Sequence, residues 1–272
     1  MRSSPVLFLV GSFLSLALAV STNNRREAGG FTLLLASFIL FTFLAGNRME
    51  LLSIFVGVAI SVLLLVRRRD LPGYLVLRVA ALTGCIIVFG AAAFLVSGGL
   101  EGSALLDRYV GAGTKDMMED PTLTNRIAET LDAWNAFQSD PLLGKGLGYR
   151  TETPFQVGTV SYIPEYYFIH NFYAYVLAKF GLVGAVVVAW FFWKIVRVAR
   201  RCFLQGDRFT RAYMAAIIGM VISSLILSVS SNQFVDRTWV GLMGYLIGIQ
   251  VAMSLGEVPS QSATSQGAVL GA

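Results

Sequence analysis

Long apolar runs divide most of this sequence into segments of membrane-spanning length. A transmembrane helix needs about 20 mainly apolar residues, because the hydrocarbon layer of a bilayer is about 30 Å thick. Hydrophobic residues make up 56% of the chain and charged residues 14%, against about 25% charged residues in soluble domains. Seven runs approach or reach the required length: 5–20, 31–46, 49–66, 74–98, 172–196, 213–229 and 239–255. The pattern therefore predicts an all-α polytopic membrane protein with about seven transmembrane helices.

The segment 100–170 is the only long stretch that is too polar to lie in a bilayer. It separates the chain into four predicted parts. Residues 1–99 hold transmembrane helices 1–4, residues 100–170 form a large extracytoplasmic, partly helical loop, and residues 171–255 hold transmembrane helices 5–7. Residues 256–272 are rich in Ser, Gln, Ala and Gly, which predicts a disordered cytoplasmic tail.

Basic clusters set the predicted orientation, because cytoplasmic segments beside transmembrane helices carry an excess of Lys and Arg. If the N-terminus lies outside and the C-terminus inside, the basic clusters at 25–26, 67–69 and 194–211 all lie on the cytoplasmic side of the membrane. The first apolar run is similar to a signal peptide, but its cleavage would move two clusters outside, so we interpret it as a span. These clusters account for most of the net charge of +5, and no basic stripe alternates with aromatic residues, so nucleic acid is not an expected partner.

Arg48 lies between two apolar runs on the predicted outer side, where positive charge is disfavoured. One interpretation is an arginine that binds an anion. The other is an arginine that reaches the interface with its long side chain or pairs with Glu50. The sequence leaves both open.

Arg126 follows Thr124, which is a predicted helix N-cap, so Arg126 is expected in the first helical turn. An anion at a helix N-terminus would meet both unbonded N–H groups and the guanidinium. The alternative is a surface ion pair with Glu129, three residues on. Apolar residues of the same helix recur at helical spacing and predict a stripe packed on the membrane domain: Ile127, Leu131, Trp134 and Phe137 or Gln138.

Glycines shape two further segments. Residues 140–148 contain alternating glycines but match neither common phosphate-loop pattern, so they predict a tight turn in which backbone approaches backbone. A phosphate-cradling loop is the alternative. Gly181, inside the fifth apolar run, predicts a break or kink in that helix.

His170, the only histidine, stands where the polar loop re-enters the membrane. Imidazole takes and releases a proton near neutral pH, so His170 could act as a general base toward an acceptor hydroxyl. The alternative is a structural role in capping the next helix together with Asn171. Arg237 lies on the same predicted side, in a turn with Asn232 and Asp236, and could help to hold the loop.

Arg48, Arg126 and His170 come from three separate regions, yet topology places all three on the outer side. Arginine suits phosphate oxygens because its planar fork binds them bidentately. Two arginines and a proton acceptor are the groups that displacement of a phosphate leaving group requires. Neither an acidic metal motif nor a CxxC pattern is present, so the expected chemistry needs no metal and no cofactor.

These segments together resemble the O-antigen ligases and O-antigen polymerases of bacterial envelopes. The resemblance covers about residues 21–255. It rests on Gly46-Asn47-Arg48 at the outer start of a helix, on Asn125-Arg126 followed by Trp134 and the 140–148 glycines, and on His170-Asn171-Phe172-Tyr173 with Gly181 and Gly184 after it.

The resemblance implies a multi-pass transferase of the bacterial inner membrane with its large loop in the periplasm. Its donor would be an undecaprenyl-pyrophosphate-linked glycan, and its acceptor a glycan, the lipid A core or another hydroxyl compound. Arginines matching Arg48 and Arg126 would engage the pyrophosphate, and the histidine matching His170 would serve catalysis. Asn171, Tyr173 and Arg237 complete the predicted substrate-binding set.

Alternatives to a transferase stay open on sequence alone. Ligases and polymerases share these motifs. A transporter or flippase for lipid-linked glycans would need ionisable residues deep in its spans and broken helices. Family members have more spans than the seven counted here, which also suggests a truncated, inactive member that acts as a scaffold.

Overall fold

The computed structural model is mainly helical over the residues that it describes. It describes residues 5–44, 48–68, 73–74, 121–150, 155–157, 160–162, 169–232, 234 and 237–256. The described helices are α1 (Pro5–Ser21), α2 (Arg25–Leu44), α3 (Arg48–Arg67), α4 (Pro121–Ser139), α5 (Phe172–Gln205), α6 (Arg208–Leu227) and α7 (Arg237–Gly256). Between α4 and α5 lies a small antiparallel hairpin that the sequence did not predict, with β1 (Phe155–Val157) paired to β2 (Val160–Tyr162).

Four described helices, α2, α3, α5 and α6, are long and apolar enough to cross a membrane. Two more, α1 and α7, are apolar but shorter. The predicted run 74–98 lies outside the described residues except for its first residue. Part of the predicted loop, including residues 100–120, and the tail after residue 256 also lie outside them. The polytopic helical class is therefore confirmed, whereas the count of seven spans stays a prediction.

α6 is the central helix, and α3 runs antiparallel along it. Ser61 Oγ donates a hydrogen bond to the carbonyl of Ala215 (2.9 Å), and Ser223 Oγ donates to the carbonyl of Ser53 (2.5 Å). The two bonds lie two helical turns apart and fix the register of the pair. Small residues at intervals of four let helices approach closely in a membrane, where packing rather than the hydrophobic effect joins them.

Gly57 of α3 meets Gly219 of α6 midway between these hydrogen bonds. A Cβ atom added at Gly57 would lie 2.5 Å from the carbonyl oxygen of Gly219 and 2.6 Å from the ring of Phe13. A Cβ added at Gly219 would overlap the carbonyl oxygen of Gly57 and Ser61 Oγ. The backbones are therefore in contact, and Phe13 brings α1 into the same crossing.

The start of α6 marks one end of the bundle, which carries the basic residues. Arg208 donates a hydrogen bond to Asn23, between α1 and α2. The α3–α6 register brings the end of α3 at Arg67 to the same level. Asp207 caps α6 by accepting from the backbone N–H of Thr210 (2.8 Å), and this hydrogen bond holds the pKa of Asp207 below its usual value.

The opposite end of the bundle gathers the start of α3, the end of α6 and the start of α5. The backbone N–H of Phe172 donates to the carbonyl of Ser228, the C-cap of α6 (2.9 Å). Ser53 of α3 lies opposite Ser223 of α6. Five residues further along the antiparallel pair, Arg48 at the start of α3 lies at the level of Ser228. Rings of Phe172 and Phe234 pack 4.7 Å apart and connect this end to the beginning of α7.

Candidate functional site

His170 and Glu129 form a close pair where the loop region meets the membrane helices. His170 Nδ1 lies 2.8 Å from Glu129 Oε2 and 3.2 Å from Oε1. The backbone N–H of His170 also donates to Oε2 (3.1 Å). The backbone and the ring of His170 thus both bond to the carboxylate of Glu129, which lies 41 residues earlier in the chain.

The environments of the two side chains differ. Glu129 is buried, with 1% of its side chain exposed, whereas the His170 side chain is 37% exposed. A carboxylate accepts hydrogen bonds, so the proton of a neutral His170 is assigned to Nδ1 and the lone pair to Nε2. Nε2 lies on the far side of the ring from Glu129. The pair therefore presents a proton acceptor of fixed orientation on a partly exposed side chain.

Hydrogen bonds to neighbouring residues fix the backbone on both sides of His170. The buried Asn232 donates through Nδ2 to the carbonyl of Ile169 (3.1 Å). The side chain of Asn171 accepts from the backbone N–H groups of Tyr173 (3.0 Å) and Ala174 (3.1 Å), and so caps α5. The capping role of Asn171 is confirmed, but His170 itself bonds to Glu129 instead of capping the helix.

α4 packs against the start of α5 through small residues. Its buried face contains Glu129, Ala133 and Ala136, and Ala133 and Ala136 share a core cluster with Ile169 and Ala178. Alanines let the two helices approach closely enough for the Glu129 side chain to reach the start of α5. The predicted packing stripe was wrong, because its large members point away from this contact and are exposed: Ile127, Leu131 and Trp134.

Arg126 lies on the exposed side of α4, one turn before Glu129. The helix begins at Pro121, so Thr124 is inside it and Arg126 is in the second turn. The predicted N-cap at Thr124 and the first-turn position of Arg126 were therefore wrong, and the helix terminus adds little to anion binding there. The predicted Arg126–Glu129 ion pair is also wrong, since Glu129 pairs with His170. In the described ranges no carboxylate lies within 4.0 Å of the Arg126 guanidinium.

Backbone positions bring two other predicted residues to the same end of the bundle. Arg48 begins α3 at the level of Ser228, and Arg237 begins α7 two residues before the buried Trp239. The side chains of Arg48 and Arg237 lie outside the described part of the chain. Tyr173 donates its hydroxyl proton to the carbonyl of Leu225 (2.7 Å), so it also ties α5 to α6.

α5 is broken at Gly181, whose φ of 63° and ψ of −160° are not helical. The predicted kink is thus confirmed. The backbone carbonyls that the break releases find donors in the glycine turn, which we define as residues 140–148. The N–H of Lys145 donates to the carbonyl of Ala178 (2.8 Å), and the N–H of Gly146 donates to that of Lys179 (2.9 Å).

N–H groups after the break bond to the same turn. Leu182 donates to the carbonyl of Pro141 (2.9 Å), and Val183 donates to that of Leu142 (3.1 Å). A Cβ added at Gly144 would lie 2.6 Å from the backbone of Lys179. Gly144 also has a φ of 69°, which disfavours other residues. Close backbone approach, as predicted for this segment, is confirmed.

The glycine turn is not a phosphate-cradling loop. Its backbone N–H groups at Gly144, Lys145 and Gly146 all donate to protein carbonyls. Lys179, buried with 2% exposure, adds a hydrogen bond from Nζ to the carbonyl of Leu147 (2.8 Å). The turn therefore anchors the segment after α4 to the break in α5, and so supports the Glu129–His170 pair.

Sequence reasoning missed Glu129 as the partner of His170. Glu129 was interpreted only as a local partner of Arg126, three residues before it. A usable signal was present, because Glu129, Ala133 and Ala136 define a narrow small-residue face with one carboxylate. Among the residues that the structure describes, no three His, Cys, Asp or Glu side chains group as metal ligands would.

Comparison with known proteins supplies the family. The family model described as O-antigen ligase matches residues 31–189, which is more than half of the 272-residue chain. The matched region includes Arg48, Arg126, Glu129 and His170. No curated protein matches the sequence. Members of the matched family are glycosyltransferase-like ligases. The chain therefore belongs to the O-antigen ligase family.

Proposed function

We propose that this protein transfers or polymerises a glycan from an undecaprenyl-pyrophosphate carrier onto an acceptor hydroxyl, at the outer face of the bacterial inner membrane. The observation that carries the proposal is the Glu129–His170 pair at the end of the helix bundle opposite the basic residues. A buried carboxylate that orients a partly exposed imidazole is an arrangement suited to general-base catalysis.

In the proposed reaction the acceptor hydroxyl oxygen attacks the anomeric carbon of the lipid-linked sugar. The bond from that carbon to the pyrophosphate oxygen breaks, and the new glycosidic bond forms. The hydroxyl proton passes to Nε2 of His170 and then to water. The lipid pyrophosphate leaves with the electron pair, so its negative charge grows as the bond breaks.

Arg126 and Arg48 are the proposed ligands of that pyrophosphate. The guanidinium of Arg126 is exposed, and the described carboxylates leave it without an ion pair, so it is available to phosphate oxygens. Arg48 would approach from the start of α3. We propose that three further residues contact the substrate beside these two arginines: Asn171, Tyr173 and Arg237. We propose that no metal ion is needed, because the arginines supply the positive charge.

Glu129 is proposed as a positioning residue that acts through His170. It accepts from both Nδ1 and the backbone N–H, so it fixes the ring orientation and the tautomer together. A protonated imidazole that forms during transfer would remain beside a buried negative charge. The attraction between Glu129 and the His170 ring would increase as the ring gains the proton. An interaction that is stronger in the transition state than in the ground state is what catalysis requires.

A lipid-linked glycan flippase is the second candidate function. The observation that favours it is the broken helix α5, with the buried Lys179 beside the break. Four backbone groups at that break, however, bond to the glycine turn, and Lys179 donates to Leu147. The described polar groups of the break are thus used within the protein, and the transferase remains the favoured function.

Reconstitution with a defined substrate tests the proposed function. Purified protein in liposomes would receive an undecaprenyl-pyrophosphate-linked glycan with lipid A core or free glycan as acceptor. We expect a new glycosidic product and released undecaprenyl pyrophosphate, identified by mass spectrometry, with metal chelator present. Movement of intact lipid-linked glycan across the bilayer without bond formation would instead support the flippase.

A further inference from the structure

The second half of α5 carries an outward-facing surface made of tryptophans and cations. Trp190, Trp193, Lys194 and Arg197 recur at intervals of three and four residues, so they share one side of the helix. Trp190 and Trp193 are 56% and 50% exposed. The other side of this half-helix is buried in the protein core through Phe192, Ile195, Ala199, Cys202 and Phe203. We call the exposed side the α5 cationic face.

The cations of this face lie against the indole rings. Lys194 Nζ is 5.4 Å from the ring centroid of Trp190 and 5.5 Å from that of Trp193. The guanidinium carbon of Arg197 is 4.9 Å from the ring centroid of Trp193. Cation–π contacts hold the side chains in place but leave their net charge unchanged. Within the described ranges no carboxylate lies within 4.0 Å of either cation.

An apolar groove ends at the cationic face. It has a volume of about 540 Å³ and runs along α5 from Phe172 to Val196, with Leu225 of α6 at its side. Trp193 and Val196 line the end that lies beside Lys194 and Arg197. Because α5 is a candidate membrane span, a groove along it lies at the depth of the bilayer, where a hydrocarbon chain can fill it.

We propose that the α5 cationic face binds one anionic phospholipid, with an acyl chain in the groove and the headgroup phosphate between Lys194 and Arg197. Charge complementarity selects the ligand. Basic residues at the membrane surface attract anionic lipids, and a guanidinium can bind phosphate oxygens bidentately. A zwitterionic lipid carries the same phosphate, but its own cation would meet Lys194 and Arg197. The headgroup site at Lys194 and Arg197 lies at the opposite end of the groove from His170 and does not depend on the proposed function.

Lipid titration followed by native mass spectrometry tests this site. The full-length protein in detergent would be titrated with phosphatidylglycerol and, separately, with phosphatidylcholine. For the double variant Lys194→Gln/Arg197→Gln we expect about tenfold weaker phosphatidylglycerol binding and loss of the preference over phosphatidylcholine. Trp193→Leu keeps an apolar groove wall but removes two ring contacts, and should weaken binding about two- to fivefold.

The matched control is Arg67→Gln/Arg68→Gln, which removes the same charge from exposed arginines at the same end of the bundle. Unchanged phosphatidylglycerol binding in this control supports a specific site. Equal weakening in both double variants would overturn the proposal, because binding would then follow net charge alone. Equally tight phosphatidylcholine binding, or a polyprenyl phosphate that displaces phosphatidylglycerol from the groove, would overturn it as well.

Discussion

Replacing His170 with asparagine should lower glycan transfer by about 10²- to 10⁴-fold while leaving the protein folded. The amide nitrogen of asparagine takes roughly the position of Nδ1, so the hydrogen bond to Glu129 can persist. The atom that is lost is Nε2, the proposed proton acceptor. Transfer from an undecaprenyl-pyrophosphate-linked glycan would be measured with the purified variant, alongside its thermal unfolding.

Two further variants separate catalysis from structure. His170→Ala removes both the proposed proton acceptor Nε2 and the ring hydrogen bond to Glu129. The buried carboxylate then keeps only the backbone N–H of residue 170 from this pair, so the variant should also lower stability. Asp132→Asn neutralises a carboxylate three residues beyond Glu129 on the same helix and should transfer glycan at the wild-type rate. Wild-type turnover by a well-folded His170→Asn protein would exclude Nε2 as the base.

Replacing Gly219 with leucine should prevent formation of the native helix bundle. Even the first carbon of the new side chain would overlap the carbonyl oxygen of Gly57 and Ser61 Oγ. α3 and α6 would have to separate, which would break the hydrogen bond from Ser61 to Ala215. Overpacking a well-packed contact commonly costs about 1–3 kcal/mol, and this contact is backbone to backbone, so we expect a cost at or above that range.

The measurement is thermal unfolding in detergent, together with the fraction of monodisperse protein on size exclusion. Gly241→Leu is the matched control, because a Cβ added at Gly241 meets no atom within 4 Å. It makes the same chemical change on another apolar helix and should unfold near the wild-type temperature. Equal stability of the Gly219→Leu and Gly241→Leu proteins would show that α3 and α6 are not in close contact.

The helical architecture was predictable because membrane spans obey a strong physical rule. Backbone polar groups must be satisfied within each apolar segment, so long apolar runs become helices. The helix ends were less predictable. α5 continues through the basic residues Lys194 and Arg197 to Gln205, because arginine and lysine are good helix formers and their long side chains can extend to the interface.

The break at Gly181 and the tight glycine turn followed from glycine chemistry, but their contact did not. A positive φ at Gly144 and Gly181 is a local property, which a sequence can indicate. The four backbone hydrogen bonds between the two segments join positions 33 or 41 residues apart. Local patterns carry no information about which distant carbonyl accepts a released N–H group.

The packing face of α4 was mispredicted because hydrophobicity was used without regard to size. The stripe containing Ile127, Leu131 and Trp134 is more apolar than the face that is buried. Close contact with α5 selects Ala133 and Ala136 instead, since small side chains allow backbones to approach. Packing through this small-residue face also buries Glu129. A search for apolar stripes excludes Glu129 because its side chain is charged. The search for apolar stripes therefore did not find the long-range pairing with His170, although both residues were noted.

A double-mutant cycle on Glu129 and His170 tests the central claim most directly. Transfer rates would be measured for wild type, Glu129→Gln, His170→Asn and the double variant, at limiting and saturating lipid-linked glycan. Glutamine keeps the shape of Glu129 without its charge. If Glu129 acts through His170, Glu129→Gln should lower the rate roughly 10- to 100-fold in the wild type but leave the His170→Asn protein unchanged. The same fold-loss in both backgrounds would mean that the two residues act independently, and would contradict the account.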